Sequence, residues 1–391
     1  MVISGNQRFI RNVNRIAILR ALRDASGLSR ADLADLTGLT RSAIGRLVDG
    51  LIAEGWVAED KSVPSGALGR RPTPLRLDTQ RLLVLGTDFN SERIHVAACS
   101  IDGNLRAFEE ESVRGLDGHS VLKRLARLVE RVTHPYMMRG FQFRGMGVAA
   151  PGTVDGPKGV LLQSDSTGWH DLPVICLLRE QLSEPWLTGI PLLVERAVCC
   201  VAMQFVHTGK RPLTDSLVYV HLGQKLACAA VVDGVLVKGA HGLAGRVGHQ
   251  QLLPDGPMCA CGQRGCANAT LSLQAMQMEL GVDGAAALQA RLALRDEAAS
   301  AVLNRAADLL ARFLHNLGQV YGMDRLLLGG PVVELGNDFL TRVAIQLGVF
   351  AGQPPKPLQL APRPVHAAAQ GAASLMLRHL LDVEAESPRV S

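Results

Sequence analysis

The residues best suited to chemistry are His249, Cys259, Cys261 and Cys266, which crowd into GHQQLLPDGPMCACGQRGC, residues 248–266, of a chain with eight cysteines. Their spacing is His-x9-Cys-x-Cys-x4-Cys, with Gly262 and Gly265 placed to let the backbone fold around an ion. One imidazole and three thiolates are soft donors that suit a closed tetrahedral Zn2+ site. Four protein ligands leave no position for a reactive water, so the metal predicted here is structural rather than hydrolytic. The rival readings are reduced thiols in a turn and a redox pair. The second fits poorly, because Cys259 and Cys261 are separated by one residue and not two.

The elements that position this cluster belong to an ordinary globular chain of 391 residues, 47% hydrophobic and 20% charged. No apolar run approaches the roughly 18 residues that span a bilayer, and the N-terminal MVISGNQRFIRNVNR lacks a signal peptide's basic start and apolar core. These features predict a cytoplasmic protein without membrane insertion, in which scattered cysteines such as Cys99, Cys176 and Cys228 pack rather than cross-link. Charge is unevenly divided. Residues 1–81 carry 13 Lys+Arg against 8 Asp+Glu, the whole +5 surplus of the chain. A polyanionic partner is therefore expected for that segment alone.

Within it, residues 10–23 repeat apolar side chains at helical spacing, and SRADLADLTGLTRSAIGRLVDGLIAEGWV reads as two more helices about a tight turn. Ser29 and Asp32 fit a capping box, Gly38 the turn and Thr40 the next cap. Leu33, Leu36, Leu39, Ile44, Leu47, Leu51 and Ile52 are expected to form the small core. This helix-turn-helix leaves Arg41, Ser42, Gly45 and Arg46 on the outer face of the third helix, which can enter a major groove, with Thr40, Arg41, Ser42 and Arg46 as the candidate DNA contacts. Two short extended stretches about a Pro/Gly/Ser turn then read as a β-wing ending in GRRP. Arg70 and Arg71 there suit a minor groove or phosphates, although a solvated linker has the same composition.

From residue 82 the order of predicted elements is strand-strand-strand-helix-strand-helix, and it recurs from SLVYVHLG onward. Such duplication predicts an α/β protein of two lobes with a small-ligand cleft between them.

GLAGRVGHQQLLPDGPMCACGQRGC resembles the zinc segment of the ROK family of repressors and sugar kinases. APGTVDGPKGVLLQSDSTGWHDLPV, IPLLVERAV and LLLGGPV resemble further family segments, and the winged helix with GRRP is similar to the repressor branch, which includes N-acetylglucosamine and xylose repressors. The resemblance implies a winged helix-turn-helix domain over residues 1–81 and an actin/hexokinase-like (ribonuclease H-like) domain. Its first lobe would comprise 82–195 with 367–391, and its second, carrying the metal and the oligomerisation surface, 196–366.

Departures from the family pattern bear on activity. Where family kinases carry Asn-Asp-x-Asn, this chain has Arg196, Ala197 and Cys199, and alanine cannot act as the general base. Arg246 replaces a sugar-binding glutamate, Asn268 replaces another, and His249 is retained. DFNSER and GQKLACA stand where glycine turns would cradle phosphates. The expectation is a non-enzymatic regulator, most simply a repressor of carbohydrate-related genes, that binds an inverted repeat in double-stranded DNA as a homodimer or homotetramer. Its expected ligand residues are Arg196, Arg246, His249 and Asn268, and the two arginines favour an anionic sugar-derived effector. Control by docking of another protein is the alternative, and sugar kinase activity a more distant one.

Overall fold

The computed structural model describes residues 7–60, 73–207, 216–294, 296–322, 325–355, 357–362 and 365–382. At the N-terminus, α1 (Gln7–Asp24), α2 (Arg30–Thr37) and α3 (Arg41–Ala53) precede a small antiparallel pair, β1 (Val57–Glu59) and β2 (Leu75–Leu77). The signals that start and stop these helices are local. Ser29 accepts the Asp32 N–H while the Asp32 carboxylate accepts the Ser29 N–H at 2.8 Å, closing the capping box. Gly38 ends α2 at φ 69°, and Thr40 caps α3 through the Ala43 N–H. Ile18, Leu33, Ile44, Val48, Leu51 and Leu75 are fully buried among these elements. The predicted core is corrected at Leu36, which is 64% exposed, while Leu39, Leu47 and Ile52 are partly buried. The two-turn α2 buries its Leu33–Ala34 side, and Leu36 lies about 160° around the helix from Ala34.

Strands β3 (Leu82–Phe89), β4 (Arg93–Ser100) and β5 (Leu105–Ser112) follow as an antiparallel meander, then α4 (Gly118–Met137) and β6 (Gln142–Ala150), which pairs in parallel with β3. Every residue of β3 is buried, as a strand in the middle of a sheet requires. Three short strands, β7 (Thr153–Asp155), β8 (Val160–Gln163) and β9 (His170–Leu172), form a separate antiparallel sheet. Helices α5 (Val174–Gln181) and α6 (Pro185–Thr188) lead to β10 (Leu192–Arg196), which completes the first five-stranded sheet in the order β10-β6-β3-β4-β5.

After α7 (Ala197–His207), strands β11 (Leu217–Leu222), β12 (Leu226–Val232) and β13 (Val235–Leu236) form the second meander. Helices α8 (Ala267–Thr270), α9 (Leu273–Leu280), α10 (Gly284–Ala293) and α11 (Glu297–Tyr321) precede β14 (Leu326–Gly329), α12 (Asn337–Ala351), β15 (Gln359–Leu360) and α13 (Ala367–Asp382). The sheet order is β13-β12-β11-β14-β15, so the meander-plus-parallel-strand pattern of the first sheet recurs. Val218, Val220, Leu310, Phe313 and Leu314 lie in the core between this sheet and α11.

The chain divides into two compact units, with breaks at Ala149/Ala150, Pro173/Val174, Val194/Glu195 and Gly371/Ala372. Residues 150–173 thereby belong with the second unit, because β7 packs against the turn at 240–242, where the Val154 carbonyl lies 2.9 Å from a Cβ built on Gly242. The helix-turn-helix head belongs to the first.

Candidate metal centre, effector site and DNA-reading face

His249 ends the 3-10 turn Val247–His249, Cys259 and Cys261 sit in a knuckle, and Cys266 caps α8. The knuckle is held by the Gly262 N–H donating to the Cys259 carbonyl at 2.9 Å and the Cys259 N–H donating to the Gln263 carbonyl at 2.8 Å. Gly265 at φ 67° is obligatory, since a Cβ there would lie 1.4 Å from the Leu253 carbonyl oxygen. All four ligand atoms fall within 4.8 Å of one another, with Cys259 Sγ 3.7 Å from His249 Nδ1 and Cys261 Sγ 3.6 Å from Cys266 Sγ. A tetrahedron with metal–sulfur bonds of about 2.3 Å has edges of about 3.8 Å, so the donor set fits one metal ion. Burial and the neighbouring thiols push the Cys266 thiol up to about 12. His249 Nε2 faces the Asp165 carboxylate at 3.9 Å, a second layer that the spacing of the cluster did not disclose.

The expected ligand residues all lie in the second unit, and their engagements differ. Arg196, 7% exposed at the end of β10, donates through one terminal nitrogen to the Ala244 carbonyl and to Cys199 Sγ at 3.2 Å. Its Nε is buried without a partner. The guanidinium thus clasps the 239–246 loop to the start of α7. Asn268 is similarly committed: Oδ1 accepts the Leu226 N–H at 2.8 Å, and the amide fills the place a Cβ on Gly248 would take. Arg246 is exposed and forms no ion pair among the described residues. Sequence reasoning missed Lys238, whose Nζ lies 3.2 Å from the buried Glu195 carboxylate; nothing in VLVKG marks it.

Alanine occupies position 197, the first residue of α7. In the second unit the turn after β11 and the turn after β14 lie against each other. A Cβ on Gly223 would meet Pro331 Cδ at 3.3 Å, and one on Gly330 the Leu222 carbonyl oxygen at 2.5 Å. In the first unit, Asp88 is only 9% exposed and its carboxylate is 2.9 Å from His95 Nδ1, its cross-strand partner.

On the head, Arg41, Ser42 and Arg46 are exposed on α3, and Thr40 at its start is occupied in capping. Arg46 Nε is 3.4 Å from the Ser42 carbonyl, which keeps the two residues on one face. Arg70 and Arg71, the expected wing contacts, lie outside the described residues.

Comparison with known proteins agrees with this division. The MarR family pattern matches residues 12–70. The chain is 25% identical over 263 residues to the xylose repressor of Caldicellulosiruptor bescii, spanning 67% of this chain and 64% of that protein. It is 24% identical over 400 residues to the xylose repressor of Bacillus subtilis, covering 97% and 98% of the two chains. A solved ROK family transcriptional regulator, a homologue of the E. coli MLC protein, superposes with a TM-score of 0.77 at 21% identity over 96% of this chain and 97% of that one. The fold is accordingly a helix-turn-helix followed by an actin/hexokinase-like α/β domain. The ROK family pattern itself matches residues 93–379, most of the sequence, and the chain belongs to the ROK family.

Proposed function

We propose that this protein is a transcriptional repressor in which a sugar-kinase-derived domain has lost phosphoryl transfer and serves as the sensor for a DNA-reading head. Ala197 is the observation that carries the proposal, since the sugar hydroxyl has no general base there. DFNSER and GQKLACA, which stand where glycine turns would cradle phosphates, add to this reading. The names of the xylose repressor relatives support repression. The metal is structural zinc held by His249, Cys259, Cys261 and Cys266, where it ties the 247–268 segment to α8. Arg41, Ser42 and Arg46 read bases, Arg70 and Arg71 anchor the wing, and two heads of a homodimer or homotetramer engage an inverted repeat. The setting for such a protein is the cytoplasm; no described helix is long and apolar enough to cross a membrane.

For the effector, Arg196 and Asn268 shape the loop from beneath while Arg246 supplies an exposed cation. A sugar acid or sugar phosphate is the class that a guanidinium in place of a carboxylate favours. The commitment of Arg196 to the Ala244 carbonyl also supports the second reading, a domain controlled by a docked protein. One set of measurements tests the whole: selection of binding duplexes from a random pool, phosphoryl transfer from ATP to a hexose panel, and calorimetry with neutral sugars and their acids and phosphates. Selection of an inverted repeat, no transfer above background and tighter binding of the anionic sugars are expected. Phosphoryl transfer to any hexose refutes the loss of catalysis, and preference for a neutral sugar refutes the anionic class.

A further inference from the structure

Within the first unit, the head meets the α/β sheet at two places. The first is the chain itself: only residues 78–81 separate β2 from β3, with the Asp78 N–H donating to the Trp56 carbonyl at 3.0 Å and the Gln142 N–H to the Arg81 carbonyl at 2.8 Å. A single hinge of that kind leaves the head free to rotate. The second place is Arg144, on the far side of that hinge. Its guanidinium lies 4.9 Å from the centre of the Trp56 ring and donates to the Glu54 carbonyl.

The backbone is built to aim Arg144 this way. Between the pairs Leu83↔Phe143 and Leu85↔Met146, β6 has one residue more than β3, so a bulge falls at Arg144–Gly145. Bulges re-aim a side chain out of the regular alternation. Gly145 leaves room for α13, since a Cβ there would lie 2.6 Å from Met376 Sδ and the methionine side chain would have to shift. On the head side, Gly55 at φ 77° turns the chain beneath the guanidinium, 3.6 Å from a Cβ built on it.

The contact is also incompletely satisfied. The Glu54 carboxylate is taken by Arg15, with one pair of atoms at 2.7 Å, so Arg144 receives only a carbonyl and an aromatic face. Its Nε is buried with no partner. Burial lowers the guanidinium from its ordinary value, with Glu54 opposing the shift and Arg15 adding to it. A half-buried cation without a full counter-charge is held by geometry rather than by surplus energy, which suits a joint that sets an angle and can be released.

We propose that Arg144 is the positioning residue that fixes the orientation of the head on the first α/β unit, and so fixes the half-site spacing the repressor accepts. This rests on the reading of the chain as an oligomeric DNA-binding protein. In such a protein, two heads with a fixed orientation reach two half-sites at one separation, whereas heads on a free hinge reach several.

The test uses the full chain and a duplex selected by the wild type from a random pool, together with versions in which the half-sites are moved apart or together by about one to three base pairs. Wild type should lose about tenfold or more in affinity on respacing. Arg144→Ala and Trp56→Leu should each flatten that profile to about threefold or less, and the double variant should be no flatter than either single one. Arg144→Lys should not restore the profile, since lysine lacks the planar fork that stacks on the ring while donating to a carbonyl. If one variant fails to fold, the other decides. A spacing profile in either folded variant that matches wild type overturns the proposal, whereas failure of the wild type to select any duplex overturns the functional reading beneath it.

Discussion

Cys261 is the exposed member of the metal cluster and Cys259 and Cys266 are buried, so the three thiols can be separated experimentally. Purified without chelator, the protein should carry about one equivalent of zinc, and Cys261→Ser should fall below half of that, read by metal analysis. Full retention in Cys261→Ser would remove it from the ligand set. Ala197 makes a complementary prediction. Restoring the carboxylate with Ala197→Asp should leave phosphoryl transfer at background, because DFNSER and GQKLACA still stand where glycine turns would cradle phosphates. Transfer to a hexose by that variant would show that the base alone was missing. Arg196 shows how much of a residue's engagement depends on partners that its type does not reveal. A guanidinium among expected sugar contacts reads as a ligand residue, and one terminal nitrogen of this one also serves the Ala244 carbonyl and Cys199 Sγ.

The helices of the head owe their ends to short-range chemistry, which gives predictions at the scale of the element. Ser29→Ala removes the capping box of α2 and should cost about 1 kcal/mol in thermal or denaturant unfolding of the full chain. Ile44→Ala in α3 empties a fully buried position and should cost about 2–5 kcal/mol, abolishing operator binding before zinc is lost. The same caps carry a pH dependence. The Asp32 carboxyl is lowered from its ordinary value by its bond from the Ser29 N–H, and that of Asp117 by its bond from the Ser120 N–H at the start of α4. A carboxylate whose folded value is depressed contributes stability that is present above its unfolded value near 3.8 and is lost as pH falls through the lowered folded value. Asp117→Asn should therefore flatten the acid side of a stability-versus-pH curve while changing little near neutrality. An unchanged acid limb would mean that the bond persists in the unfolded chain.

For the whole molecule, the surplus of positive charge in residues 1–81 predicts DNA binding that weakens steeply with salt. Arg46→Ala should relax base preference at one position by about 1–3 kcal/mol, read as a narrowed gap between selected and mutated duplexes. Arg70→Ala with Arg71→Ala should weaken all duplexes alike and flatten the salt slope. The reverse assignment of these two effects would exchange the roles of helix and wing.

Much of this organisation was legible from residue order alone, because its causes are local. Ser29, Gly38 and Thr40 announce helix ends within a turn of where they act, and His249 with its three cysteines is spaced for one ion in a single loop. The alternating strands and long amphipathic helices likewise bear their period in a short window. The substitution at Ala197, set beside the ROK pattern, raised the loss of catalysis as an expectation. Contacts between segments far apart in the chain were illegible. The small β7-β8-β9 sheet arises from short strands with too few residues to show a period, and its place beside residues 240–242 depends on packing. Asp165 beside His249, Lys238 beside Glu195, and Arg144 over Trp56 join residues at least 43 positions apart. No periodicity or spacing rule connects such pairs; only the folded backbone, with its bulge at Arg144–Gly145 and its turn at Gly55, decides which of many arginines reaches a ring and which remains in solvent.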